Sequence, residues 1–145
     1  MKYLPALILL LSTSTGAAEV SHLNRDAALE AGLPFSEAVR VDDTLYLSGE
    51  VGRKPFATEV VPGGIEAEAR QIMENISGLL EANGLGLKNV VKCTVMLADI
   101  AEWPAFNAVY VEYFSAPYPA RSAFAASGLA LGASVEVECI AAYPD

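Results

Sequence analysis

The stretch "YPARSAFAASGLALGASVEVECIAAYP", residues 118–144, sets a single arginine, Arg121, ahead of an apolar run of small residues and ends in an alternation that carries two glutamates. A strand places successive side chains on opposite faces, so Val135, Val137, Cys139 and Ala141 share one face while Glu136, Glu138 and Ile140 share the other. The first set suits a layer of helices. The second set must meet solvent, a cleft or another subunit. Two strands are read here, about 121–126 and 134–142, separated by the glycine-containing turn "SGLALGAS".

The rest of the chain supplies the covering layer. "EAVRVDDTLYLSGE" has short apolar alternations on both sides of Asp42-Asp43 and predicts a hairpin of strands near 38–41 and 44–48. "RKPFATEVVPGG" follows as loop. From Ile65, apolar residues recur through Ala69, Ile72, Ile76 and Leu79, with Glu66, Glu68, Arg70 and Glu74 between them, until Asn83-Gly84 stops the pattern. This predicts an amphipathic helix over 64–82. "NVVKCTVML" is a strand that sets Val91, Cys93, Val95 and Leu97 against Lys92, Thr94 and Met96. In "DIAEWPAFNAVYVEYFS" the aromatic residues Trp103, Phe106, Tyr110 and Tyr113 share a helical face and Pro104 belongs to the first turn, which predicts a second helix near 102–114 with an aromatic core stripe. The order β-β-α-β-α-β-β lets both helices cover one face of a single sheet. A second copy of the chain is the natural cover for the other face, so oligomerisation is expected.

The chain has 145 residues, of which 53% are hydrophobic, enough for one domain with one core. Its first stretch, "MKYLPALILLLSTSTGAAEV", has Lys2 as its only charge before Glu19, an apolar run over 4–11 and small residues up to Ala18. It reads as a secretory signal peptide, residues 1–18, ahead of a domain over 19–145, and implies export to the periplasm or beyond the cell. The apolar run is too short to span a bilayer, so no membrane association is expected after cleavage. Loss of Lys2 alone takes the formal net charge from −9 to −10. So acidic a surface repels phosphate backbones, and nucleic acid is not an expected partner. One His and two separated Cys do not make a zinc site, and no GxxxxGK[ST], GxGxxG or HExxH pattern occurs.

The motifs "LYLSGE", "GGIEAEARQIMENI", "VVKCTVML", "FNAVYVEYF", "PARSAF" and "VEVECIA" resemble, in order and spacing, those of the RidA/YjgF family, and the resemblance covers about residues 33–143. It implies an α/β (α+β) fold of the chorismate-mutase-like kind, a single mixed sheet with two helices on one face, assembled as a homotrimer with sites in the clefts between subunits. It also implies hydrolysis of reactive imines or enamines of amino acids to 2-keto acids and ammonia, with no metal or organic cofactor.

Residue by residue, the resemblance makes Arg121 the anchor for a substrate carboxylate, a role its planar guanidinium fits because it can bind both oxygens at once. Glu136 matches a glutamate near the attacking water, where a carboxylate can take a proton and pass it to the leaving nitrogen. Asn107, Ala123, Ser48, Gly49 and Phe35 correspond to positions that line the cleft. Glu138 is not carried over as catalytic. The chain departs from the family pattern at Phe35, where many members have Tyr, at Ala123, where many have Cys, at Glu50 for Gln, and at Ala130, where Pro is common after the preceding leucine. A salt bridge between subunits is the structural alternative for Arg121, and an exported trimer that binds small carboxylates without turning them over is the functional one. The family fold sets the strands of Cys93 and Cys139 side by side. Both cysteines fall on helix-covered faces, and two buried free thiols are expected, because residues opposite each other in a sheet often miss disulfide geometry.

Overall fold

The computed structural model describes residues 16–24, 32–55 and 57–144. The predicted signal peptide lies outside them except for its last three residues. Among the described residues the strands and α-helices are, in order, β1 (Val20–Leu23), β2 (Ala38–Val41), β3 (Thr44–Leu47), β4 (Glu50–Val51), α1 (Gly64–Ala82), β5 (Val90–Leu97), α2 (Trp103–Tyr113), β6 (Ala120–Ala125) and β7 (Val135–Ala142). Among the described residues the strands form one mixed sheet in the order β1-β2-β3-β7-β5-β6, with β4 also on β7, and only the β5–β6 pair is parallel. Both helices pack on one face, as the sequence predicts. None of the described helices is long and apolar enough to cross a membrane.

Helix α1 matches its predicted span residue for residue, the apolar period marking its length and Asn83-Gly84 its end. At its C-terminus the Leu85 N–H donates to the Leu80 carbonyl at 2.9 Å and the Gly84 N–H to the Glu81 carbonyl at 3.0 Å, with Gly84 at φ 74°. Those two bonds satisfy carbonyls that a helix end leaves open, and the left-handed residue they need is glycine. Buried Ile65, Ala69, Ile72, Met73, Ile76, Leu79 and Leu80 then meet Val135, Val137, Cys139 and Ala141 of β7 in the core. An Arg70–Glu112 ion pair with two hydrogen bonds ties α1 to α2 on the outside, and it holds the Glu112 carboxyl below the usual carboxylate range.

In α2 the aromatic stripe is divided. Phe106 and Tyr110 are buried, whereas Trp103 lies at the surface and donates its indole N–H to Asn107 Oδ1 at 3.1 Å. Val91 is also corrected. It was expected beside Cys93 and Val95, but the β5–β7 register shifts between Val90 and Lys92 and leaves Val91 49% exposed. A bulge of this kind inserts one residue and reverses the parity of what precedes it.

The cysteines differ from expectation too. Cys93 and Cys139 stand directly opposite each other on β5 and β7, with Cα atoms 4.1 Å apart, and are joined by a disulfide. The two free thiols expected from the sequence are replaced by one cross-link, because the close pairs of an antiparallel ladder bring Cα atoms to about 4.5 Å with side chains on the same face. Thiol titration in denaturant without reductant is expected to find no reactive thiol. The bridge closes a sequence separation of 46 residues, so replacing both cysteines with alanine should lower stability by about 2–4 kcal/mol, measured by chemical unfolding.

Candidate functional site

Strand β6 is the sheet edge, and its register with β5 places Arg121 beside Cys93 and Ala123 beside Val95. Cys93 and Val95 are buried under the helices, so Arg121 and Ala123 point to the same side, each half-buried. The guanidinium carbon of Arg121 lies 4.7 Å from the centroid of the Tyr110 ring and 6.0 Å from that of Phe106. Among the described residues the guanidinium makes no hydrogen bond or ion pair. An arginine whose face rests on aromatic rings and whose N–H groups are unspent is a ready anion receptor.

Glu136 belongs to the other side. It pairs with Met96 on β5 and Val51 on β4, and its carboxylate rests against Gly49. A Cβ built on Gly49 would stand 3.0 Å from Glu136 Cδ and closer still to Oε1, so only glycine leaves the carboxylate where it is. The neighbouring geometry comes from a bulge. Tyr46 pairs with Ile140 and Glu50 with Val137, which leaves three residues on the β3–β4 side facing two on β7. The extra residue falls within Leu47–Gly49 and turns Glu50 inward, where its Oε2 lies 3.4 Å from Nδ2 of Asn75 on α1. Ser48 donates its hydroxyl to the Ser36 carbonyl at 2.7 Å, which ties it to the loop before β2.

By sequence Glu68 is one of the charged residues between the apolar positions of α1, but the structure buries it to 3% exposure. Its carboxylate accepts from the Ser134 N–H at 2.8 Å and the Ser134 hydroxyl at 2.9 Å, which fixes the start of β7 two residues before Glu136. Gly52 permits this approach, since a Cβ there would come within 2.5 Å of the Glu68 Cα. The signal was present in the spacing, because Glu68 stands three residues after Ile65 and four before Ile72, on the apolar face.

One chain does not bring Arg121 and Glu136 together. They point to opposite faces, two strands and three register positions apart, which puts their backbones on the order of 14 Å from each other. Phe35 is 52% exposed ahead of β2, Asn107 is half-buried on α2, and Glu138 is exposed beside Glu136. The candidate residues therefore form two half-sites: Arg121 and Ala123 with the α2 aromatics at the sheet edge, and Glu136 with Gly49 on the uncovered face.

A mixed sheet with two helices on one face and split half-sites at its edge and open face defines a class of small α/β proteins. The family model described as "Endoribonuclease L-PSP" matches residues 25–143. The chain is 47% identical over 108 residues to a 2-iminobutanoate/2-iminopropanoate deaminase of Capra hircus, covering 74% of this chain and 79% of that one. It is 36% identical over 131 residues to Reactive Intermediate Deaminase A, chloroplastic, of Arabidopsis thaliana, covering 90% and 70%. The crystal structure of RidA from an Antarctic Psychrobacter superposes with a TM-score of 0.72 at 40% identity, covering 76% of this chain and 89% of that one. The chain belongs to the RidA/YjgF family.

Proposed function

We propose that this protein hydrolyses reactive 2-imino and enamino acids to 2-keto acids and ammonia, at clefts between the subunits of a homotrimer. The observation that carries the reading is Arg121, half-buried against Tyr110 with its N–H groups unspent. A substrate carboxylate bound there in the guanidinium plane leaves the C=N carbon pointing away from the sheet edge. Water attacks that carbon, Glu136 takes one of its protons and returns it to nitrogen to give a carbinolamine, and transfer of the remaining hydroxyl proton to nitrogen then releases ammonia as the C–N bond breaks and the C=O bond forms. Because the half-sites of one chain face apart, Arg121 of one subunit works with Glu136 of a neighbour.

The uncovered sheet face supports that assembly. Tyr46 and Phe124 are 47% and 49% exposed on it, beside Ile140 and Met96, and a closed cyclic assembly buries such a face. Light scattering at micromolar concentration is expected to give three times the chain mass. A monomer would dismantle the inter-subunit site. Export by the predicted signal peptide belongs to the same reading, and a disulfide suits an oxidising compartment.

The direct test generates 2-iminobutanoate or 2-iminopropanoate with an amino-acid oxidase and measures the hydrolysis added by the protein. Binding of the 2-keto acid without added hydrolysis would instead identify a carboxylate-binding trimer. Polyanions are poor candidates for the cleft despite the ribonuclease in the family model's description, given the formal net charge of −9. In the same assay Gly49→Ala should reduce kcat by about tenfold or more, since small misplacements of a reacting group are costly. The fold should survive, because the new methyl meets the flexible end of Glu136 rather than backbone.

A further inference from the structure

We propose that Tyr110 is a positioning residue, whose ring face holds the Arg121 guanidinium in the plane that receives the substrate carboxylate. This rests on the deaminase reading above and adds to it the part that aims the anchor. Arg121 has four rotatable side-chain bonds and sits on an edge strand, where no hydrogen bond or ion pair among the described residues fixes it. Its guanidinium carbon lies over the Tyr110 ring, 4.7 Å from the centroid, with Phe106 farther off at 6.0 Å. The Tyr110 ring is itself immobilised. It is 4% exposed and in tilted contact with Phe106, at 5.7 Å and 39°, and with Phe114, at 4.6 Å and 30°. The three aromatics recur every four residues along α2 and its end, so the helix delivers them as one rigid row.

A guanidinium lying over a ring is attracted by the ring's negative face, and its N–H donors then project from the edge of the stack. That is the direction a bidentate carboxylate needs. The Tyr110 hydroxyl is buried and has no hydrogen-bond partner among the described residues, so the ring rather than the hydroxyl makes the contact with Arg121. Burial raises the Tyr110 pKa against the opposing pull of Arg121, which keeps the phenol neutral and excludes a phenolate–guanidinium ion pair at neutral pH.

The experiment replaces Tyr110 with phenylalanine and then with mono-, di- and trifluorophenylalanine, which draw charge from the ring face while keeping its shape. KM and kcat are read for the oxidase-generated imine, and calorimetry measures 2-oxobutanoate binding. Tyr110→Phe should stay within about threefold of the parent, and each added fluorine should raise KM and weaken 2-oxobutanoate binding, reaching about threefold to tenfold for the trifluoro variant with kcat unchanged. A melting temperature constant across the series confirms that packing is untouched. A KM that stays flat across the series, in a protein where Arg121→Ala abolishes activity, would overturn the positioning role and leave the deaminase reading standing. If Arg121→Ala keeps full activity, the anchor itself is wrong and the proposal falls with it.

Discussion

Arg121→Lys is expected to lower kcat/KM for a 2-imino acid about 100-fold or more, nearly as far as Arg121→Ala. Shape, not charge, sets the loss. A guanidinium presents two parallel N–H groups to a carboxylate, and hydrogen bonds between charged groups are worth about 1.5–3 kcal/mol each. Lysine offers a single ammonium on a flexible stem, cannot lie flat on the Tyr110 ring and donates from one point. If only a positive charge were needed at the sheet edge, the lysine variant would keep most of the turnover in the oxidase-coupled assay. The bidentate account would then be wrong.

Much of the scaffold that holds Arg121 was legible beforehand. The 64–82 helix announced itself by an apolar period near 3.6 and by Asn83-Gly84, and the faces of β7 followed from strict alternation between Val135 and Ala141. The family motifs supplied the fold class. What escaped was whatever depends on how strands are registered against each other. The bulges at Val91 and at Leu47–Gly49 each add one residue where local composition looks the same as a regular strand. Strand β4 spans two residues, too short for a periodic signal, and the VSHL of β1 does not alternate. Whether Cys93 and Cys139 fall opposite each other or one step apart is likewise a matter of register, and so is the separation of Arg121 from Glu136. The candidate residues could be named from sequence. That they stand on two different faces could not, because parity across three strands is set only when those strands pair.

That separation makes Glu136→Gln the sharper test of chemistry. Glutamine keeps the size of the side chain and its fit against Gly49, but it cannot accept a proton at neutral pH. Substrate binding, carried by Arg121 on the other face, should be little affected, with KM within about threefold of the parent, while kcat falls by about 100-fold to 10,000-fold, the usual contribution of a positioned acid–base group. A variant that lost affinity and rate in equal measure would place Glu136 in binding instead. The proposed pairing of Arg121 from one subunit with Glu136 of a neighbour has a further consequence. Mixing Arg121→Ala and Glu136→Gln chains, each inactive alone, and allowing them to exchange should restore activity, since some mixed trimers contain an interface with both groups intact. In trimers of random composition, a quarter of all interfaces carry the wild-type Arg and Glu if each chain is equally abundant, so recovery should approach about one quarter of the parental rate. No recovery, in a mixture whose chain exchange is shown by mass spectrometry, would mean that Arg121 and Glu136 do not cooperate across an interface.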